Sequence, residues 1–393
     1  MGINKKIVLS VIAVLFVITI LILSFSRKSF PEYQFTDLGT LGGEFSYANA
    51  INNHGCVVGY SHTEDDKVHP FYWSIEDGMI DIGEFAGEDN CTATTITDSG
   101  FVVINAGHRN FDLRLFIWDS NKKKVYDMQK EVGKNCNIKD INNSCQVVGS
   151  FELDGNVNTS FYWDQKNGMI NFNKTLSPPE EGHIHPTVFR INEKGQAIGN
   201  WYHGGSMRHG FIWDIDNGVK YLHDGNFSVQ TINNKGQVTG KSPSPSANWF
   251  FWDNGKVQRI DIELDAFEYP WAQVLKDGRV LVNDRTDLII WTPSSQKRYQ
   301  TKGLYGLEHN DYGHGVGLYS TVPRNSEDWR RDYSILLFQP EIGFVHLSQL
   351  SISGDPFERI LNKLAINNKG QIAGNAQINE DITHAFVMTP KLK

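Results

Sequence analysis

The densest group of side chains that could do chemistry is His183, His185 and His203, with Glu180 and Glu181 nearby in sequence. Imidazoles and carboxylates of this kind are zinc ligands, and the loop before the first strand of a repeat and the loop after its second would share one face, so these histidines could converge on a metal. The plain alternative is a set of surface histidines. A second group consists of aromatic and arginine residues in segments of irregular length: Trp201, Tyr202, Tyr269, Trp271, Trp329, Arg330 and Arg331. Such side chains give large contact area and strong hydrogen bonds, so they are the expected ligand-binding residues. A third group recurs: His69, His209 and His384, with Arg114, Thr159, Asn248, Asp287 and Ser334 at the equivalent position. A station whose chemistry changes from copy to copy reads as a hydrogen-bonding position, not a catalytic one. Nucleophile elbow, phosphate loop, zinc-protease helix and calcium loop signatures are all missing, so no catalytic residue and no cofactor are assigned.

These residues are set in a repeat. Ala50-Ile-Asn-Asn-His-Gly55, Thr95-Ile-Thr-Asp-Ser-Gly100, Asp140-Ile-Asn-Asn-Ser-Cys145, Arg190-Ile-Asn-Glu-Lys-Gly195, Thr231-Ile-Asn-Asn-Lys-Gly236, Val274-Leu-Lys-Asp-Gly278 and Ala365-Ile-Asn-Asn-Lys-Gly370 share one hairpin pattern, and His309-Asn-Asp-Tyr-Gly313 is a weaker eighth. The closing glycine supplies a positive φ, which Cys145 must adopt under strain. Eighteen residues after that position in repeats one to four and in the last, an apolar strand ends: Phe71-Tyr-Trp73, Phe116-Ile-Trp118, Phe161-Tyr-Trp163, Phe211-Ile-Trp213 and Phe386-Val-Met388. A further turn and a fourth short strand follow, as in Met79-Ile-Asp-Ile82.

Four strands per ~45-residue period predict an all-β fold, a single β-propeller of about eight four-stranded blades, with seven as the other count. Only seven fourth strands follow the eight aromatic ones. Gln34-Phe-Thr-Asp-Leu38 resembles Val125-Tyr-Asp-Met128, so the N-terminal strand is expected to complete the last blade. In such a ring the short first-hairpin turns need do no more than reverse the chain, and the variable connections on the opposite side would carry the partner.

Asp37-Leu-Gly-Thr-Leu-Gly-Gly43, the Ile-Asn-Asn-Lys-Gly-Gln phrases and His384-Ala-Phe386 resemble the HAF-type extracellular repeat family, over about residues 35 to 390. The resemblance implies a surface or envelope location and no established activity.

Residues 7–25, Ile7 to Phe25, form an apolar run flanked by Lys5, Lys6, Arg27 and Lys28, long enough to span a bilayer. We expect a transmembrane or signal-anchor helix, with residues 1–6 cytoplasmic, 26–32 a linker and 33–393 the propeller; cleavage after a signal peptide is the rival. The net charge of −8 becomes −12 without those four cations, which excludes nucleic acid as a partner. Cys91 and Cys136 stand one repeat apart and could pair, although free buried thiols are the simpler reading.

The expected protein is therefore a monomer held at the membrane by its N-terminal helix, its propeller outside the cytoplasm, at the cell surface or in the periplasm, binding a protein or glycan as a module or scaffold. A propeller enzyme acting on a polysaccharide, as lyase or glycoside hydrolase, is the alternative. Edman sequencing of the mature, membrane-fractionated protein should read from the initiating segment; a chain that begins at Arg27 and appears in the medium would replace the anchor by secretion.

Overall fold

A computed structural model describes residues 30–84, 90–107, 114–153, 157–179, 183–203, 208–222, 228–241, 249–262, 271–283, 287–301, 304–320, 334–350, 352–353, 359–361, 363–379 and 381–391. The apolar run 7–25 lies outside these, and no helix among the described residues is long and apolar enough to cross a membrane.

The architecture is all-β and of the propeller kind. Six separate antiparallel sheets of four strands each follow one another along the chain, from Cys91–Ile96 to Gly343–His346, every one in simple up-and-down order. The remaining strands form a ten-stranded sheet built from the first and last repeats, and its two groups are joined by the single parallel pair Phe45 opposite Thr383. Within each sheet the hairpin phrase lies between the innermost two strands and the aromatic strand is third, as the spacing predicts.

The aromatic strands explain why sheets stack. Alternate side chains point to opposite faces, so Phe71 and Trp73 pack on Ala373 and Val387 of the last repeat, whereas Tyr72 faces Trp118 of the second at 5.6 Å in an edge contact. Tyr162 meets Trp213 at 5.0 Å and Phe251 meets Trp291 at 5.8 Å, both as tilted pairs. Each repeat thus buries apolar surface on both sides, at roughly 1.5–3 kcal/mol per large side chain.

The first strand closes the ring. Tyr33–Asp37 pairs antiparallel with Thr383–Pro390, from Tyr33 opposite Pro390 to Asp37 opposite Phe386, and the Phe35 and Phe386 rings lie 4.6 Å apart. His384 Nδ1 stands 2.9 Å from Asp37 Oδ2. That contact belongs to a series: His69 with Asp81 at 2.7 Å, Arg114 with Asp127 at 2.9 Å, Asp287 with Arg298 at 2.5 Å, and Ser334 with His346 at 3.0 Å. The recurring polar station therefore ties the third strand to the fourth of the same repeat, and the chain's first strand holds the place of the missing fourth. The four cysteines are free thiols, three of them buried. Cys145 takes φ +56° in its turn, the strained conformation expected where its relatives carry glycine.

Burial works against the Asp37 charge, but hydrogen bonds from His384 and the Gly39 amide outweigh it and hold this carboxyl below its ordinary range. A carboxyl depressed on folding stabilises above its unfolded value, near ~4, and loses that contribution as the pH falls through the folded value. Asp37→Asn should therefore lower stability at pH 7 by up to ~1 kcal/mol, a surface-pair magnitude, and the gap from wild type should narrow in melts taken at successively lower pH below ~4. A gap that persists in acid would mean that charge has no part in the closure.

Candidate functional site in the axial channel

The first-hairpin turns meet around the axis, and they do more than reverse the chain. In six of them a buried asparagine amide donates to the next repeat's turn carbonyl: Asn52 to Thr97, Asn142 to Asn192, Asn192 to Asn233, Asn233 to Leu275, Asn310 to Asn367, and Asn367 back to Asn52, at 2.8–3.1 Å. The two remaining steps are made by the Ser99 amide to Asn143 Oδ1 and the Lys276 amide to the Asp311 carbonyl. Each asparagine also folds its own turn; the Asn192 side-chain Oδ1, for instance, accepts from the Lys194 and Gln196 amides. The glutamine of the phrase then abuts the neighbouring turn. A Cβ placed on Gly195 would stand 2.9 Å from Gln146 Oε1, a side-chain end that can move aside, so it is the backbone conformation, φ +76°, that favours glycine there.

Below these turns the innermost strands are bulged at one register. The shifts fall between Ala48 and Ala50, Ala93 and Thr95, Ile138 and Asp140, Val188 and Arg190, and Val229 and Thr231, with a wider one between Tyr305 and Glu308. Only the pair led by Trp271–Val274 runs without one among these seven. A bulge re-aims side chains, and two of the bulged residues, Phe189 and Gln230, line an axial chamber.

Two cavities result. A mouth of about 280 Å³ is lined by Asp98, Glu193, His309, Asp311 and the turn asparagines. A chamber of about 570 Å³ is walled by Phe189, Arg190, Gln230, Trp271, Gln273, Glu308 and His309, from four consecutive innermost strands. His309 lines both, with its ring 4.9 Å from that of Trp271. Its Nδ1 is enclosed with no hydrogen-bond partner among the described residues, and burial pushes the imidazole down to about 4, so it is neutral at pH 7.

The mouth carboxylates are partly committed: Asp98 accepts from Asn53, Glu193 from the Asn143 amide, and Asp311 from Asn368. Burial raises the Glu193 carboxyl, and the charges of Asp98 and Asp311 add to the effect. Deeper in, Asp140 bridges to the Ile191 amide, and burial carries it up to about 6 against the pull of Arg190. Glu308 is raised by burial, with Lys363 opposing; Lys363 is lowered by burial, with Glu308 opposing. Lys363 holds φ +85°, and its ammonium donates to Asn49 Oδ1 at 2.6 Å.

The residues singled out from sequence fare unevenly. Trp201 is not on an exposed loop: at 3 % exposure it belongs to the core with Val188, Phe211 and Trp213, because the strand Ala197–His203 extends far enough to turn it inward. Tyr202 is half-buried, its ring 6.2 Å from that of His185. Trp271 opens an innermost strand and faces the chamber instead of a loop. His183 pairs with His203 in backbone register, but both side chains, like Glu180, Glu181, Tyr269, Trp329, Arg330 and Arg331, lie outside the described residues. Among the described residues no three His, Cys, Asp or Glu side chains are grouped to hold a metal ion. Asp140, Arg190 and Glu308 were missed. All three stand two residues before the turn asparagine of their repeats, and a charge at that point of an otherwise apolar strand is the signal that could have found them.

Asn192→Ala would orphan the groups that this buried amide satisfies, at roughly 1–3 kcal/mol. Urea denaturation should show that loss, whereas Asn217→Ala, in an exposed turn between third and fourth strands, should cost less than half as much; equal losses would deny the axial ring its special weight.

No family model and no curated protein matches the chain. Solved structures do. One from a study of two prolyl endopeptidases superimposes with a TM-score of 0.51 at 11 % identity, covering 93 % of this chain and 55 % of that one. A post-proline cleaving enzyme from Rickettsia typhi gives 0.49 at 10 % identity, over 94 % and 59 %. The acylaminoacyl peptidase of Pyrococcus horikoshii gives 0.46 at 12 %, over 86 % and 58 %. The chain thus spans little more than half the length of these peptidases, and at such identities the likeness to the first is one of fold: the β-propeller.

Proposed function

We propose that this protein is an eight-bladed propeller enzyme that acts on a polysaccharide, with the axial chamber as its active site. The observation that carries the reading is convergence: Arg190, Glu308 and His309, from separate repeats, line one chamber beside the Trp271 ring, and burial shifts the titration of Glu308 and His309. An aromatic face and a few convergent polar groups in a concave site are what a sugar ring needs for orientation. Glu308 has the chemistry of the acid–base residue, since burial brings its proton affinity nearer to neutrality. Peptide hydrolysis is not carried over from the peptidases, because this chain spans only 55–59 % of their length and has no nucleophile elbow.

The setting follows the N-terminal run. An anchored propeller outside the cytoplasm meets polysaccharide directly, and the HAF-like phrases support the same location. The binding-module reading retains one supporting feature, the mouth carboxylates, which are engaged in holding turns instead of standing free for chemistry.

Detergent-solubilised full-length protein should cleave a polysaccharide, and Glu308→Gln should lower kcat by on the order of 100-fold or more with the melting temperature unchanged. Turnover that survives the substitution would remove Glu308 from the chemistry. Tight glycan binding without turnover by the wild type would place the protein among the binding modules.

A further inference from the structure

We propose that the mouth of the channel is a subsite for ammonium groups, held by Asp98, Glu193 and Asp311, and that the polysaccharide entering there is a polymer of hexosamines with free amino nitrogens. The inference rests on the axial reading above and deepens it to a substrate class.

The first observation is where the carboxylates stand. Asp98, Glu193 and Asp311 each follow the turn asparagine, or the threonine that replaces it, in the second, fourth and seventh repeats, and all three line the one mouth of about 280 Å³. Each is fixed by a neighbouring turn at 2.8–3.0 Å: Asp98 by the Asn53 amide and side chain, Glu193 by the Asn143 amide, and Asp311 by the Asn368 side chain. A carboxylate has room for about four hydrogen bonds, so these are held in place with acceptor capacity left for a ligand.

The second is the sign of the charge. All eight first-hairpin turns are among the described residues, and no lysine or arginine of theirs lines the mouth. Cations of these turns have other partners: Lys276 lies over the Tyr312 ring at 5.5 Å, Lys235 Nζ donates to the Asp277 carbonyl at 2.9 Å, and Arg279 pairs with Asp277 at 2.6 Å. The carboxylates instead act on one another across the opening. Burial raises the proton affinity of Glu193, and the charges of Asp98 and Asp311 raise it further. A recess lined by one sign of charge concentrates ligands of the other, so a polyanion is repelled here and an ammonium is drawn in.

The third is His309, which points to a ligand independently of the carboxylates. Its Nδ1 is enclosed yet has no hydrogen-bond partner among the described residues, an arrangement that costs free energy until a ligand atom or water supplies the partner. The residue lines both mouth and chamber, and being neutral at pH 7 it adds no positive charge to the opening. A chain that passes from mouth to chamber brings a hydroxyl or amino hydrogen to that nitrogen on its way to the Trp271 face. Among the described residues no three His, Cys, Asp or Glu side chains are grouped to hold a metal ion. An ammonium on a sugar ring, with three donors to spread over separated oxygens, is the cation that fits.

The test uses full-length protein in detergent micelles, titrated by calorimetry with an oligomer of glucosamine, the same oligomer N-acetylated, and an oligogalacturonate. The glucosamine oligomer should bind at least ~10-fold more tightly than its acetylated form, the scale of one charge-assisted contact. That margin should narrow as salt is raised, and the uronate should bind weakest. Glu193→Gln and Asp311→Asn should each cut the margin severalfold with melting curves unchanged, whereas Asp277→Asn, on the same face but outside the mouth lining, should leave it intact. A margin missing from the wild type, or lost equally in Asp277→Asn, would overturn the inference. Cleavage of a neutral or acetylated polysaccharide with no such margin would overturn it while leaving the axial active site in place. The margin without cleavage of any polysaccharide would uphold the subsite and overturn the enzyme reading.

Discussion

The structure depends on a hydrogen-bonded ring that no single repeat can form. Each turn asparagine is buried and binds both its own repeat and the next, and in four of them the amide donors themselves are divided, as when Asn192 reaches both Gln196 and the Asn233 carbonyl. A buried amide left without its partners costs more than the bond itself is worth, so every repeat is held in the position its neighbours define. The aromatic stacking between sheets is strong but tolerant of small rotations; the amide ring is directional and fixes the tilt. The bulges are the corollary. An innermost strand that must deliver its turn to the ring while pairing with a straighter second strand has one residue too many, and the excess is turned inward as Phe189 or Gln230.

What was readable from the residues follows from this. The turn glycines, the third-strand aromatics and the replacement of the last fourth strand by Gln34 to Leu38 were legible because each is a local pattern that recurs at a fixed interval. The amides were visible as residues but not as a ring, since an asparagine that folds its own turn and one that also clasps a neighbour look alike in one dimension. Trp201 misled because an aromatic near a loop gives no sign of whether its strand continues past it; here the strand runs to His203. The axial charges were hidden for another reason. Arg190 and Glu308 come from different repeats, and no motif spaced along the chain can record their meeting on one chamber wall.

The same closure separates two kinds of polar chemistry that sequence alone lumps together. Pairs such as His69 with Asp81 or Ser334 with His346 lie between adjacent strands of one sheet and change partner type freely, because a hydrogen bond of either polarity serves. Charges at the axis face water and one another, and their titration answers to residues from other repeats. Position on the radius, more than residue type, decides which role a histidine or a carboxylate takes.

The strand Tyr33–Asp37 has a consequence in time. It is the first part of the ring to be synthesised, yet its partners Thr383–Pro390 are the last, and Asp37 is separated from His384 by 347 positions. At ~5–20 residues per second the ribosome leaves it waiting for roughly 17–70 s, an apolar strand with Tyr33 and Phe35 uncovered. Repeats in the middle can stack as they emerge, but the circle stays an open arc until the final strand is released. Fidelity of biogenesis for such a chain is therefore governed less by the strength of any sheet than by whatever shields one short segment during translation.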